Sequence, residues 1–524
     1  MLEAARIDYL PEVSFSAATR QADLDAMESR GVELLVVGGG ITGAGIVRDA
    51  ALRGIQVGLV ERGDFASGTS SRSSKLIHGG VRYLQQGDIG LVLEAAAERR
   101  TLCRIAPHLA VAARMAMPVH GRTSAGLMKF RAGLWAFEKM ARIGGEERHE
   151  VLKADDVESR IPGLATDRLQ GAVVFTEYVT DDARLTLETI KSARRAGAAI
   201  ASYAPAVAIG EAPARATSSA AGASSGGGLR VRVRDELDGR EREIAARVVV
   251  NAAGPWVDAV RGLSGATAKR MHLTKGIHLV LARELLPVDD IVVMQARDRR
   301  PVFVVPWHDI VWIGTTDTNY PEAVERPEIT REDVDYLLEA TNRAFPRARL
   351  TGDQAQGAWA GVRPLLHQEG KSPSEISRRD EIIVEPSGLV SIAGGKLTTY
   401  RKMAERVVDA VVERLGSRVK PCSTAELPLV EPGEAVPIVR TQVGEGDVEH
   451  ALENECALTV ADVLERRTRA SLFARDNGVA AAAHVAEVMG RRLGWSDEGR
   501  AREVEDYRRR LAHDFAWRDG GAAR

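Results

Sequence analysis

The chain has 524 residues, 44% hydrophobic and 27% charged, which is the balance of a globular protein with room for two or three domains. Its 71 Lys and Arg nearly cancel its 73 Asp and Glu, which leaves no overall electrostatic basis for binding nucleic acid. No apolar run is long enough to span a bilayer as a helix, and three scattered cysteines, Cys103, Cys422 and Cys456, make neither a disulfide framework nor a metal-type spacing, as in a reducing, cytoplasmic compartment.

Residues 1–30 carry Glu3, Asp8 and Glu12 and lack a basic start followed by an apolar block. They read as a poorly ordered N-terminal extension, not a secretory signal. The next segment, about 32–62, has the order strand, glycine turn, helix, strand, acid. Gly38 permits the tight turn, Gly40 lets the backbone approach a pyrophosphate, and Gly43 lets the helix pack on the strand. Ile41 and Thr42 open the helix, whose free N–H groups and positive dipole end suit phosphates. Glu61, followed by Arg62, ends the second strand where a carboxylate can accept ribose hydroxyls. The pattern predicts a dinucleotide site without choosing between NAD and FAD.

A Ser/Gly-rich loop follows over 63–84, then helices over 90–106 and 184–196 and a strand near 204–209. Residues 211–228 read as a surface loop between strands, because strand patterns resume at 229–234 and 244–250. The second of these runs into Asn251-Ala252-Ala253-Gly254, small residues that let a ligand approach the sheet. Alternation at 277–282, 302–306 and 310–314 predicts an antiparallel sheet of the kind a substrate-capping domain uses. A buried strand at 389–393 leads into Gly394-Gly395-Lys396 and a helix over 400–415. A Pro/Gly-rich linker covers 416–445, and charged helical patterns fill 446–515.

Three segments resemble the FAD-dependent, aerobic-type glycerol-3-phosphate dehydrogenases. They are Thr69-Ser70-Ser71-Arg72-Ser73-Ser74-Lys75-Leu76-Ile77-His78-Gly79-Gly80-Val81-Arg82-Tyr83-Leu84, then Gly314-Thr315-Thr316-Asp317 with Gly361-Val362-Arg363-Pro364, and Gly394-Gly395-Lys396-Leu397-Thr398-Thr399-Tyr400-Arg401. The resemblance runs from about 32 to 415 and continues through Thr459–Thr468, although the stretch between Cys422 and Val448 is short for the family. It implies an α/β fold: a Rossmann-like FAD-binding domain interleaved with an antiparallel-sheet substrate domain over 31–415, plus an all-α C-terminal domain. It also implies that Thr69, Ser70, Ser74, Lys75 and Leu76 wrap FAD, that Val207 reaches the adenine side, and that Ala253 and Gly254 approach the pyrophosphate. Gly395, Lys396, Leu397 and Thr398 would lie near the flavin, where a helix N-terminus favours negative charge on the reduced ring.

The implied reaction is oxidation of glycerol 3-phosphate to dihydroxyacetone phosphate by hydride transfer to FAD. A phosphate monoester calls for cations, and Arg82, Arg363 and Lys396 come from three distant segments that a fold can converge. Arg378 is a further candidate, and Tyr83 and Thr315 can donate hydrogen bonds to the substrate. His78 titrates nearest neutral pH and is the first choice of general base. The resemblance leaves quinone or oxygen as electron acceptor, with quinone preferred, and a homodimer as an expected assembly. An amino-acid-oxidase-like flavoenzyme and a non-catalytic flavin-binding paralogue are the alternatives, against which the cationic set argues. Over 122–142, Leu127, Phe130, Leu134, Phe137 and Ala141 share a helical face flanked by Lys129, Arg131, Lys139 and Arg142. That face either packs in the core or rests on a membrane surface.

Overall fold

The computed structural model describes residues 13–79, 89–121, 123, 125–212, 228–321, 325–368, 379–430 and 442–519. Two sheets organise it. In the first, the strand Val32–Val37 pairs in parallel with Val57–Val60 on one side and Glu241–Asn251 on the other, with Leu34 opposite both Val57 and Val248. The order continues to Ala199–Ala201 at one end and to Val390–Gly394 and Asp380–Val384 at the other. A parallel sheet must be covered on both faces. The helices Ile41–Leu52, Asp182–Arg195 and Tyr400–Leu415 cover one, burying Ile46, Val47, Ile190, Val407 and Val411.

The other face is closed by the hairpin Ala206–Glu211 with Leu229–Arg234 and by a helix over Ala17–Arg30. This helix corrects the expectation of a loose N-terminal extension from residue 13 onward. Its low amphipathicity hid it, since only Leu24 and Met27 of its apolar side chains enter the core, and Arg20 is buried as a bidentate partner of Asp235. A Cβ at Gly58 would stand 2.5 Å from the Met27 sulfur, so the glycine is what lets this helix lie on the sheet.

The second sheet has ten strands. Met271–Ala282 lies between Ile310–Gly314 and Ala355–Leu366, and the sheet runs on through Pro301–Trp307, Ile291–Gln295, Val111–His120 and Leu169–Val179 to Leu76–Ile77. Sequence alternation found the strands near 277, 302 and 310. It missed Leu169–Val179, which is buried almost continuously along its length, and Ala355–Leu366, whose many small residues carry little pattern. The helix Ala125–Ala141 packs on this sheet with Leu134, Phe137 and Ala141 buried, so its named apolar face is core.

The C-terminal helices Glu445–Asn454, Val479–Leu493 and Asp497–Asp514 share a core of Val448, Leu464, Val485, Met489 and Tyr507. Buried ion pairs fasten them to the rest: Asp64 with Arg466 and Arg467, Glu455 with Arg184, and Asp182 with Arg469. Residues 416–430 of the expected linker run along the main body, where Leu429 is buried and its N–H donates to the Ile105 carbonyl at 2.9 Å.

Candidate active site

A cavity of about 1050 Å³ runs from Tyr203, Pro205 and Ala206 past Gly38–Thr42 to Gly395-Lys396-Leu397. It lies at the carboxyl ends of the parallel strands, where open α/β sheets bind ligands. A Cβ on Gly38 would fall 2.7 Å from the Ala252 carbonyl oxygen, and one on Gly43 would fall 1.9 Å from that of Gly38. The turn therefore admits no side chain at these points. Gly40 and Thr42 line the cavity, and the Ile41 N–H at the helix start donates to Ser70 Oγ at 2.9 Å. Glu61 accepts from the N–H groups of Gly39 at 2.6 Å and Gly63 at 2.9 Å, and its burial raises its pKa. Asn251 Oδ1 accepts from the Ala253 N–H and shapes the turn that presents Ala253 and Gly254 to the cavity. Arg62 stacks 4.9 Å over Trp256, and both side chains bond Glu325. Cations outnumber carboxylates in the lining, eight to five. Volume, side-chain-free turn and charge all fit a dinucleotide with an anionic diphosphate.

A second group of residues gathers where the two sheets meet. His278, on Met271–Ala282, is opposite Gly314 on one neighbour and Trp359 on the other. Its ring stacks on Trp359 with centroids 4.6 Å apart, and its Nε2 lies 2.9 Å from Ser74 Oγ. Arg363 donates to Thr315 Oγ1 at 2.8 Å and to Asp317 Oδ1 at 3.2 Å. A Cβ on Gly276 would meet both Arg363 and Thr315, and one on Gly314 would meet the His278 ring. These glycines are why the cluster closes up. Burial first, then the charges of Arg363 and Lys75, hold His278 well below the usual histidine range, so its ring is neutral at neutral pH.

The cavity reaches this cluster through Pro364, next to Arg363, and through Thr69, whose Oγ1 donates to the Val362 carbonyl at 2.6 Å. Gly394 and Gly395 take positive φ, and Lys396 precedes the turn Leu397–Thr399. Lys396 and Leu397 line the cavity, while Thr398 is buried beneath it.

Several site residues expected from sequence are placed differently. Lys75 and Leu76 are buried outside the lining, and Lys75 Nζ donates to Asp182 and to the Ser71 carbonyl. Ser74 faces His278, not the cavity wall. Ala206 lines the adenine end where Val207 was expected. His78 follows the strand Leu76–Ile77, half-buried and outside the lining. Arg82, Tyr83 and Arg378 lie outside the described residues. Sequence reasoning missed His278, Ser74 as its partner, and Trp359. The signal available was His278 as the single polar side chain of the run 277–282, whose other residues are apolar.

Comparison with known proteins agrees with this geometry. The FAD dependent oxidoreductase family matches residues 33–401, and the C-terminal domain of alpha-glycerophosphate oxidase matches 389–500. The aerobic glycerol-3-phosphate dehydrogenase of Bacillus subtilis is 40% identical over 420 residues, which is 79% of this chain and 74% of that protein. That of Staphylococcus aureus is 41% identical over 75% of this chain and 70% of its own length. The solved structure of glycerol-3-phosphate dehydrogenase from Bacillus halodurans complexed with FAD superposes with a TM-score of 0.75 at 31% identity, covering 95% of this chain and 98% of that one. Glycine oxidase from Geobacillus kaustophilus, at 21% identity and a TM-score of 0.53, shares the fold alone. A cleft that fits a dinucleotide, on a chain 40% identical to its relatives over three quarters of its length, places the protein in the family of FAD-dependent, aerobic-type glycerol-3-phosphate dehydrogenases.

Proposed function

We propose that the protein oxidises sn-glycerol 3-phosphate to dihydroxyacetone phosphate, and that the cluster of His278, Ser74, Thr315 and Arg363 beside Lys396 is where the substrate is held. The observation that carries this reading is the packing of Arg363, Thr315, His278 and Ser74 into one cluster directly behind Pro364 and Thr69 of the cofactor-cavity lining. Bound FAD supplies the two-electron acceptor for the alcohol carbon. Arg363, fixed by Thr315 and Asp317, presents its planar fork to the phosphate. Lys396 adds a second positive charge at the cavity wall. His278 takes the hydroxyl proton at Nε2, directly or through Ser74 Oγ, and so fills the role that sequence alone assigned to His78. Trp359 holds the imidazole in plane. Its indole N–H donates to the Ser73 carbonyl at 3.1 Å, which ties the histidine to the Ser-rich loop. Anaerobic glycerol 3-phosphate is expected to bleach the flavin absorbance of the purified protein, and glycerol is not. Absence of bleaching by the phosphate ester overturns the reading.

We further infer that the electrons pass to a quinone at a membrane surface to which the protein binds peripherally. Among the described residues no helix is long and apolar enough to cross a membrane. The face of Ala125–Ala141 opposite its core side supports a peripheral contact. Met128 and Trp135 are 68% and 59% exposed, beside the exposed side chains of Lys129, Arg131, Lys139 and Arg142. Aromatic and thioether side chains among cations suit an anionic headgroup layer. The contact face is thus turned away from the apolar stripe seen in the sequence. Wild type is expected to pellet with vesicles containing anionic lipid at low salt, and M128S/W135S to remain in the supernatant with its flavin reduction intact. Equal partitioning of the two proteins excludes this face. Rapid peroxide formation with oxygen alone, matching the rate with a quinone analogue, favours an oxidase.

A further inference from the structure

We propose that the C-terminal helical domain is part of the cofactor site, and that Arg509, Arg510 and His513 close over the diphosphate of bound FAD. These three residues and Asp506 recur every three or four positions on the helix Asp497–Asp514, so they occupy one face of it. That face lines the same cavity as Gly38, Gly40 and Ser70. The opposite side of the same helix buries Tyr507 in the domain's own core. In the sequence this stretch reads as a solvated Arg/Glu face, and only the packing turns one side of it toward the cofactor.

The balance of charge locates the diphosphate there. Arg466 also borders the cavity but is already neutralised by Asp64, Asp462 and Glu465. It serves to hold the domain in place. Arg509 pairs with Asp506 on its own helix, and Arg510 approaches Glu465 only to 4.0 Å. His513 lines the cavity on the same face, and Arg326, also in the lining, donates to the Arg510 carbonyl at 2.9 Å and so braces that face. Cations that line a cavity with so little local neutralisation suit the oxygens of a diphosphate. At one end of the cavity Tyr203 bonds Asp462 of the C-terminal segment, and the other end, at Gly395, is lined by other segments. Arg509 and Arg510 are the cations this helix brings to the lining between them.

The attachment is rigid. Asp64, which stands three residues after Glu61, is buried and binds both Arg466 and Arg467 of the π-helical turn Asp462–Arg467. Arg326 binds Asp514 at the end of the lining helix at 2.6 Å. Cofactor retention and domain docking are in this way one event.

The test uses the full-length protein stripped of FAD and titrated with FAD, following flavin fluorescence, with no substrate present. Its failure is thus distinct from failure of the glycerol 3-phosphate reading. R509E/R510E is expected to raise the Kd for FAD at least tenfold, while R502E/R508E, the same charge change at exposed positions outside the cavity lining, stays within twofold of wild type. ADP-ribose, which carries the diphosphate without the flavin, is expected to lose affinity in parallel. If R509E/R510E does not fold by circular dichroism, R509Q/R510Q is expected to raise the Kd at least threefold. An unchanged Kd in the folded variant, or a loss for FAD that ADP-ribose does not share, overturns the proposal.

Discussion

His278→Gln is expected to lower kcat/KM for glycerol 3-phosphate by about 10²–10⁴-fold, the usual worth of a positioned general base, and to erase the acid limb of the pH profile. The sign follows from the surroundings. Burial and the charges of Arg363 and Lys75 disfavour the imidazolium, so the folded pKa lies well below the ordinary value of 6.5. The competent neutral form is therefore present throughout the neutral range, and activity falls only when the pH drops below that lowered value. Stability shares the direction. Between the folded pKa and 6.5 the unfolded chain binds more protons at this site, so the fold loses stability as pH falls through that window. Steady-state kinetics of His278→Gln and His78→Gln between pH 5 and 8 separate the candidates. If His78→Gln loses the acid limb and His278→Gln does not, the proton acceptor is His78. Gln keeps a hydrogen bond to Ser74 available but cannot accept a proton, so loss of activity with normal FAD binding isolates the proton step from the packing against Trp359.

How far this site is legible in the sequence depends on whether its parts are local or assembled. The cofactor turn is local. Gly38, Gly40, Gly43 and Glu61 sit within one strand–helix–strand unit, and hydrophobic period and glycine spacing are enough to identify them. Gly395 and Lys396 are similarly marked by a buried strand that breaks into glycines before a helix. The substrate cluster is not local. Ser74, His278, Thr315 and Arg363 meet only because Met271–Ala282 pairs with both Ile310–Gly314 and Ala355–Leu366, and a strand pairing of that kind leaves no trace in spacing. The Ser-rich loop shows a further limit. Resemblance implies that its residues contact the cofactor, yet only Thr69 and Ser70 of those named reach the cavity, while Ser73 and Lys75 turn inward to a buried carboxylate. Sequence marks the segment as special without saying which side each residue faces. The Arg-rich C-terminal helix is hidden for the opposite reason. Its pattern is that of an ordinary solvated helix, and one face acquires meaning only from the cavity against which it docks.

That buried carboxylate is Asp182, and Asp182→Asn is expected to cost the fold about 3–5 kcal/mol, the range for stripping the partner from buried charges. Its Oδ1 accepts from Lys75 Nζ at 2.9 Å and Arg469 Nη2 at 2.8 Å, and its Oδ2 accepts from the Ser73 N–H at 2.9 Å and Oγ at 2.7 Å. One side chain thus joins the Ser-rich loop, the helix Asp182–Arg195 and the C-terminal domain. Although burial pushes its pKa up, Lys75 and Arg469 outweigh this and hold the carboxyl below its usual range. Asparagine preserves the shape but leaves two buried cations sharing only Asp181, which lies 3.4 Å from Arg469. Lys75 reports on the defect. Burial and Arg469 already lower it from 10.5 to about 8, so between those values the unfolded chain binds more protons and stability rises with pH. Losing the Asp182 charge moves the folded value lower still. The deficit of the variant, read from denaturant midpoints, is therefore expected to shrink from pH 7 to pH 9 as Lys75 gives up its proton. Lys75→Met is expected to relieve the same deficit at pH 7, giving a coupling energy of opposite sign to the single losses. A deficit below about 1 kcal/mol, or one that neither pH nor Lys75→Met relieves, would show that the junction is held by packing and not by this charge. Because Ser70 and His278 both depend on the loop that Asp182 anchors, the folded fraction of the variant is expected to bind FAD more weakly and to turn over more slowly, from a residue that lies outside the cavity lining.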